Sequence, residues 1–241
     1  MRILADACDE SGLCEELELL SQGQGASRLV HAAADWAALV DIAPIIEGHL
    51  LICPYQHVHA SLDLEETKAF WLSCHQLAQR LCHNFGYSNY MLIEHGTRPD
   101  YCGPSCVRHV HVHLTLGQPT RLAEAISTVV DKDREHSSCQ AALDAVSLKP
   151  SYLILSSAPD HWIIGTPKPE IRQSSRRILV EAYCADLGLV DWAVTAAGES
   201  HIASVDKMVQ LSGSADLERV GTVKAERAFS TSSLAVVGDS P

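Results

Sequence analysis

No stretch of this 241-residue chain approaches the ~20 consecutive apolar residues that a membrane-spanning helix needs, so no membrane partner is expected. Basic residues are scarce. Eighteen Lys and Arg face 30 Asp and Glu, a net charge of −12. That balance speaks against a nucleic-acid polymer, whose binding depends on cations that neutralise phosphates. A small anionic ligand fits better. There is no Gly-rich phosphate loop, internal repeat or heptad array, which removes P-loop, solenoid and coiled-coil architectures. The opening residues Met1 to Asp6 lack a signal-peptide layout. Nine cysteines without one point to a reducing compartment, the cytoplasm, rather than to a disulfide scaffold. What remains is ordinary for a soluble chain, 46% hydrophobic and 20% charged, and long enough to bury a substantial core.

Against this background one run stands out: His109-Val110-His111-Val112-His113-Leu114. Strand side chains alternate faces with a period of two, so the three histidines share one face while Val110, Val112 and Leu114 point the other way. Two chemistries suit such a ladder, a metal site and an imidazole nucleophile. Upstream, Leu50 to Cys53 is a short apolar run between Gly48 and Pro54 and reads as a buried strand. Asp63 can cap a helix from about Leu64 to Asn84. Its apolar face carries Phe70, Cys74, Leu77, Ala78, Leu81 and Phe85, its surface carries His75 and His83, and Gly86 ends it. Tyr87 to Ile93 reads as a strand leading to Glu94-His95-Gly96. Cys53, Cys74, Cys82 and Cys184 lie in apolar runs and read as core. The order of elements predicts an α+β fold, an antiparallel sheet with helices on one face.

These residues together resemble the histidine triad (HIT) superfamily. The resemblance rests on Gly48-His49-Leu50-Leu51-Ile52-Cys53-Pro54-x-x-His57, a long helix, Glu94-His95-Gly96 and the His109–Leu114 run, and covers roughly residues 8 to 117. Thr115 departs from it by standing where an apolar residue is usual. The resemblance implies a HIT-type nucleotide hydrolase that acts at the α-phosphorus through a nucleotidyl-histidine intermediate. His111 would be the nucleophile, a role that suits an imidazole near neutral pH. His49 would hydrogen-bond to it and orient it, and His113 would contact the phosphate and leaving group. His109 completes the catalytic set. The third triad position is His113 rather than Gln, which favours hydrolysis over nucleotidyl transfer. A nucleotidyltransferase or phosphorylase, and a nucleotide- or metal-binding protein without turnover, are the alternatives.

The resemblance further implies substrate contacts by Asp41, Glu94, Ser105 and Cys106, although a turn cap before Pro44 explains Asp41 equally well. It implies a structural zinc on Cys8, Cys14, His57 and His109, a Cys2His2 set of sound chemistry. The two cysteines are nevertheless spaced more widely than the family's Cys-x-x-Cys. No organic cofactor is expected. The partner is a small nucleotide, with homodimer pairing through the long helix and a strand, or with the C-terminal segment supplying that contact within one chain.

Past the triad, Leu122 to Val130 and Ser137 to Val146 read as helices. Tyr152 to Ser156 and His161 to Thr166 form a hairpin across Pro159-Asp160, and Glu170 to Leu187 is a further helix. That helix carries Arg172, Arg176 and Arg177, either as a solvated face or with one arginine reaching a phosphate. The expected organisation is a catalytic domain over residues 1–118, an extension packed on it over 119–203, and a mobile tail over 204–241.

Overall fold

The computed structural model describes residues 12–25, 27–98, 109–117, 119, 121–169, 171 and 173–183. Cys8, Ser105, Cys106, Cys184 and the expected tail over 204–241 lie outside the described residues.

Alternation of buried apolar residues builds an α+β fold around one antiparallel sheet of eight strands. These are β1 (Leu29–Ala32), β2 (Trp36–Val40), β3 (Leu50–Pro54), β4 (Tyr90–Thr97), β5 (Val112–Leu116), β6 (Val130–His136), β7 (Ser151–Ala158) and β8 (His161–Pro167). Their order across the sheet is β1-β2-β3-β5-β4-β7-β8-β6. The helices are α1 (Leu13–Ser21), α2 (Thr67–Phe85), α3 (Leu122–Val129), α4 (Cys139–Val146) and α5 (Ser174–Tyr183). The histidine strand β5 is thus central, with Leu51 and Ile93 flanking His113 and with Ile52 and Glu94 flanking Val112.

The two sheet faces carry different cores. On one, Leu50, Ile52, Leu92, Val112, Leu114 and Ile154 pack against Trp71, Cys74, Leu77 and Leu81 of α2 and Leu143 of α4. On the other, α1 covers Ala37, Leu39 and Leu51, whereas α3 and α5 cover Met91, Ile93, Leu153 and Leu155. Helices therefore lie on both faces, where sequence patterning predicted one. The histidine side of β5 falls between the α1 core and the α3/α5 core.

Three local expectations need correction. Helix α2 begins at Thr67; Ser61–Asp63 instead forms a single 3-10 turn, after which Leu64 is extended. Thr67 closes this entry by donating to the Ser61 and Leu64 carbonyls. His75 is buried rather than on the helix surface. It bonds to the Tyr90 hydroxyl (2.8 Å) and the Ser156 hydroxyl (3.3 Å), which satisfy both ring nitrogens, and it stacks edge-on with Trp162. Strand β6, Val-Asp-Lys-Asp-Arg-Glu-His, went unread because its charges give no apolar period; charge is what an edge strand uses to discourage further pairing. Gly86 ends α2 with φ 75°, the left-handed geometry that glycine adopts without penalty.

Candidate active site

The turn between β2 and β3 brings the first two residues of the site together. Gly48 has φ +83°, and a Cβ there would lie 3.0 Å from Leu116 Cβ, so only glycine permits this turn against β5. The turn returns the chain as β3 with His49 on the histidine face. It leaves the Ile45 N–H pointing at His49 Nδ1 (3.2 Å). Asp41 opens the turn, and its Oδ1 accepts the Ala43 N–H at 2.8 Å.

These contacts determine where protons sit. His49 Nδ1 accepts from Ile45, so the neutral ring carries its proton on Nε2. That N–H donates to His113 Nδ1 at 3.0 Å. His113 then carries its own proton on Nε2. His111 is set the opposite way. Its Nδ1 lies 2.9 Å from the His109 carbonyl, to which it donates, leaving the Nε2 lone pair free. The rings of His111 and His113 meet edge to face with centroids 4.9 Å apart. His49 thus pairs with His113 and not, as expected, with the nucleophile candidate. The backbone of the histidine run itself orients His111.

Burial holds this cluster neutral. His49 and His113 are enclosed and His111 is half-buried. Loss of hydration pushes His49 down to about 4, and Asp41 opposes this only partly. Burial, then the neighbouring imidazoles, pushes His113 well below the ordinary histidine value, and burial also lowers His111. Asp41 remains a carboxylate: burial acts to raise it, but His49, Arg176 and the Ala43 N–H outweigh that and lower it.

Two residues of the site are not singled out by sequence reasoning, although Arg176 stands among three arginines of which one reads as able to reach a phosphate. Arg176 of α5 donates to Asp41 Oδ2 (2.8 Å) and to the Ala43 carbonyl (2.6 Å), across 135 and 133 residues respectively. His95 faces Leu153 on β7, on the same side of the sheet as His111 and His113, and bonds Ser151 Oγ at 3.0 Å. Strand parity was the available signal for His95, because it stands two positions from Ile93, the partner of His113. No local signal marks Arg176.

The same parity removes Glu94. Paired with Val112 and Ile154, it points into the α2 core. Its carboxyl accepts from the Ser61 N–H (2.7 Å), the Ser61 hydroxyl (2.5 Å) and the Tyr152 hydroxyl (3.2 Å). Glu94 therefore contacts neither the histidines nor a ligand beside them. Gly96 lies over the same tyrosine: a Cβ there would fall 2.1 Å from the Tyr152 ring. Thr115 is a departure with a reason, since it shares the histidine face and bonds the Tyr183 hydroxyl of α5 at 3.0 Å.

A second cluster lies beside the first. His109 Nε2 donates to the Pro54 carbonyl (2.7 Å), which leaves its Nδ1 lone pair facing Cys14 Sγ (3.1 Å) and His57 Nδ1 (3.3 Å). Cys14 Sγ is 3.4 Å from His57 Nδ1. Zn–S bonds of ~2.3 Å and Zn–N bonds of ~2.0–2.1 Å in a tetrahedron place ligand atoms roughly 3.3–3.6 Å apart, so the three separations fit a zinc ion within a few tenths of an ångström. The sulfur, however, is disulfide-bonded. Its partner is none of Cys53, Cys74, Cys82 and Cys139, which are free. Asp41, His49 and His113 also offer donor atoms within 4.8 Å of one another. There the carboxylate is taken by Arg176, and His49 and His113 bond each other, so this trio is a hydrogen-bonded imidazole pair beside an arginine-paired carboxylate.

A family model described as HIT domain matches residues 22–119. A bis(5'-adenosyl)-triphosphatase from Dictyostelium discoideum is 32% identical over 80 residues, 32% of this chain. The chain spans about half of that relative, 51% of its length. Similar solved structures include a HIT family protein from Bacillus anthracis, at 22% identity and TM-score 0.37 over 47% of this chain and 75% of the other. Another is a Zn-bound histidine triad family protein from Mycobacterium smegmatis, at 18% identity and TM-score 0.36 over 46% and 74%. The Gly-His strand, the long helix and the histidine run are thus assembled inside the stretch, residues 22–119, that is similar to the HIT domain.

Proposed function

We propose that this protein is a nucleotide hydrolase that cleaves a phosphoanhydride at the α-phosphorus of a nucleotide, with His111 as nucleophile. The observation that carries this reading is the opposite tautomers of two adjacent imidazoles. His111 offers a lone pair on Nε2, and His113 offers an N–H. A nucleophile beside a hydrogen-bond donor is what displacement at a phosphate requires.

In the first step a bond forms between His111 Nε2 and the α-phosphorus, and the bond to the bridging oxygen breaks. The positive charge gained by the His111 ring is shared with the His109 carbonyl through Nδ1–H. His113 donates its Nε2–H as a hydrogen bond to phosphate oxygen. In the second step water replaces nitrogen on phosphorus and one proton leaves to solvent.

The neutral state of His113 bears on substrate class. A neutral imidazole gives a hydrogen bond but does not surrender its only proton at pH 7. Anhydrides, whose leaving groups depart as stable anions, are therefore favoured over phosphoramidates, whose nitrogen needs a proton. The name of the Dictyostelium relative is consistent with an anhydride.

Single-turnover mixing with diadenosine triphosphate tests the nucleophile. A transient AMP adduct is expected on the peptide that contains His111, and in labelled water the label should appear in AMP. His111→Ala is expected to lose turnover by at least about a thousandfold while AMP binding changes little. Full turnover by that variant overturns the assignment, and label in no product overturns hydrolysis.

Cys14, His57 and His109 are proposed to hold a structural zinc once Cys14 is a thiolate, with Cys8, from outside the described residues, as fourth ligand. Bound there, the ion would supply cross-linking of the N-terminal segment to the strands that carry the histidines, and no chemistry to the reaction. Elemental analysis of the reduced protein is expected to find one zinc per chain, and His57→Ala to lose it. A metal-free reduced protein that keeps its thermal stability would refute the site.

A further inference from the structure

Asp41 presents a puzzle that the hydrolase reading does not resolve. A carboxylate 3.6 Å from His49 Nε2 and 4.0 Å from His113 Nδ1 stands beside the place where a phosphate must sit. Unopposed, it would repel that phosphate. It is not available as a free acceptor either. Oδ1 takes the Ala43 N–H and Oδ2 takes Arg176.

Arg176 comes from a distant part of the chain, and its placement is well built. Its side chain is 16% exposed. Helix α5 is seated by Ile178, Leu179 and Ala182 in the core shared with Ile93 and Leu153. The Tyr183 hydroxyl, bonded to Thr115 and to the Gly117 carbonyl, pins the far end of α5 to the histidine strand. One guanidinium arm holds the Asp41 carboxylate and the other the Ala43 carbonyl. The Asp41–Ala43 turn, which leads to the Ile45 N–H, is held at both points.

We propose that Arg176 is a positioning and specificity-determining residue of the histidine site: it cancels the charge of Asp41, so that a polyanionic nucleotide can approach, and it holds the turn whose backbone sets the His49–His113 pair. The inference rests on the hydrolase reading and identifies the extension as part of that site. The charged and titratable groups around the phosphate position are then Asp41, Arg176, His49, His95, His111 and His113. With the imidazoles neutral, Arg176 and Asp41 decide the local charge.

The test is a charge cycle in the full chain, read as AMP affinity and as KM and kcat for diadenosine triphosphate. Arg176→Met is expected to raise KM and weaken AMP binding on the order of tenfold, with kcat changed less than about threefold. Arg176→Lys should stay near wild type. Adding Asp41→Asn to Arg176→Met should restore most of the lost affinity, because an amide oxygen still takes the Ala43 N–H and no bare carboxylate remains. Loss of packing alone would not be rescued in this way. Should the Met variant lack a cooperative thermal transition, Arg176→Gln replaces it in the same cycle.

A wild type that turns over, with the neutral Arg176 variant matching it or the double variant no better than the single, overturns this inference and leaves the hydrolase reading intact. A wild type that neither binds AMP nor turns over overturns both.

Discussion

At the scale of single residues, the site depends on which ring atom carries a proton, and backbone groups decide this. The Ile45 N–H, the His109 carbonyl and the Pro54 carbonyl each select one nitrogen of His49, His111 and His109. Glu94 shows the same sensitivity on the opposite face. Burial raises its carboxyl to about 7, although bonds from Ser61 and Tyr152 act to lower it. The folded state then holds a proton that the unfolded chain has released above pH 4.5. Its contribution is intact below pH 4.5 and is lost as pH rises through 7. Urea unfolding of the wild type and of Glu94→Gln at pH 5 and pH 8 isolates that loss: the stability advantage of the wild type over the variant should be smaller at pH 8 than at pH 5. An unchanged difference would mean that Glu94 titrates normally. Glu94 was legible as a carboxylate near the histidines in sequence, but its side of the strand depended on the register with Val112.

At the scale of elements, the long helix, the Gly-His strand and the histidine strand were readable because each has a local period or punctuation: a helical apolar face, Gly48 and Pro54, and alternation. The role of α5 was not readable. Its arginines have the pattern of a solvated face, and Arg177 indeed pairs with Glu181 one turn on (2.5 Å). Arg176 differs only because the α3/α5 core turns it toward Asp41. Leu179, fully buried in that core, couples packing to the site. Leu179→Ala is expected to cost about 2–5 kcal/mol in urea unfolding. It should also raise KM in the direction expected for Arg176→Met, while leaving the Asp41–His49 turn otherwise intact. A stability loss with KM unmoved would show that α5 is only a cover.

At the scale of the whole molecule, residues 130–167 extend the sheet begun by the residues that match the HIT domain model. β7 pairs along the edge of β4, and β8 and β6 follow, so β4 is an interior strand within one chain. Acid stability is a property of this assembly. His49, His75 and His95 are each pushed to about 4, in every case chiefly by burial. The unfolded chain binds protons at these rings below about pH 6.5 while the folded chain does not. Stability is therefore full above that pH and declines as pH falls toward 4. Three imidazoles outweigh the opposite drift of Glu94, and melting temperatures should fall between pH 7 and pH 5. A flat or rising profile would contradict the burial of these rings as neutral bases. The sequence by itself determined the elements with a local period, the shared face of the three histidines and the HIT resemblance, because alternation and glycine punctuation act over a few residues. Only the tertiary structure decided that His49 faces His113, that Glu94 belongs to the other core and that Arg176 reaches Asp41, because strand register and helix docking join residues scores of positions apart that carry no mark of each other.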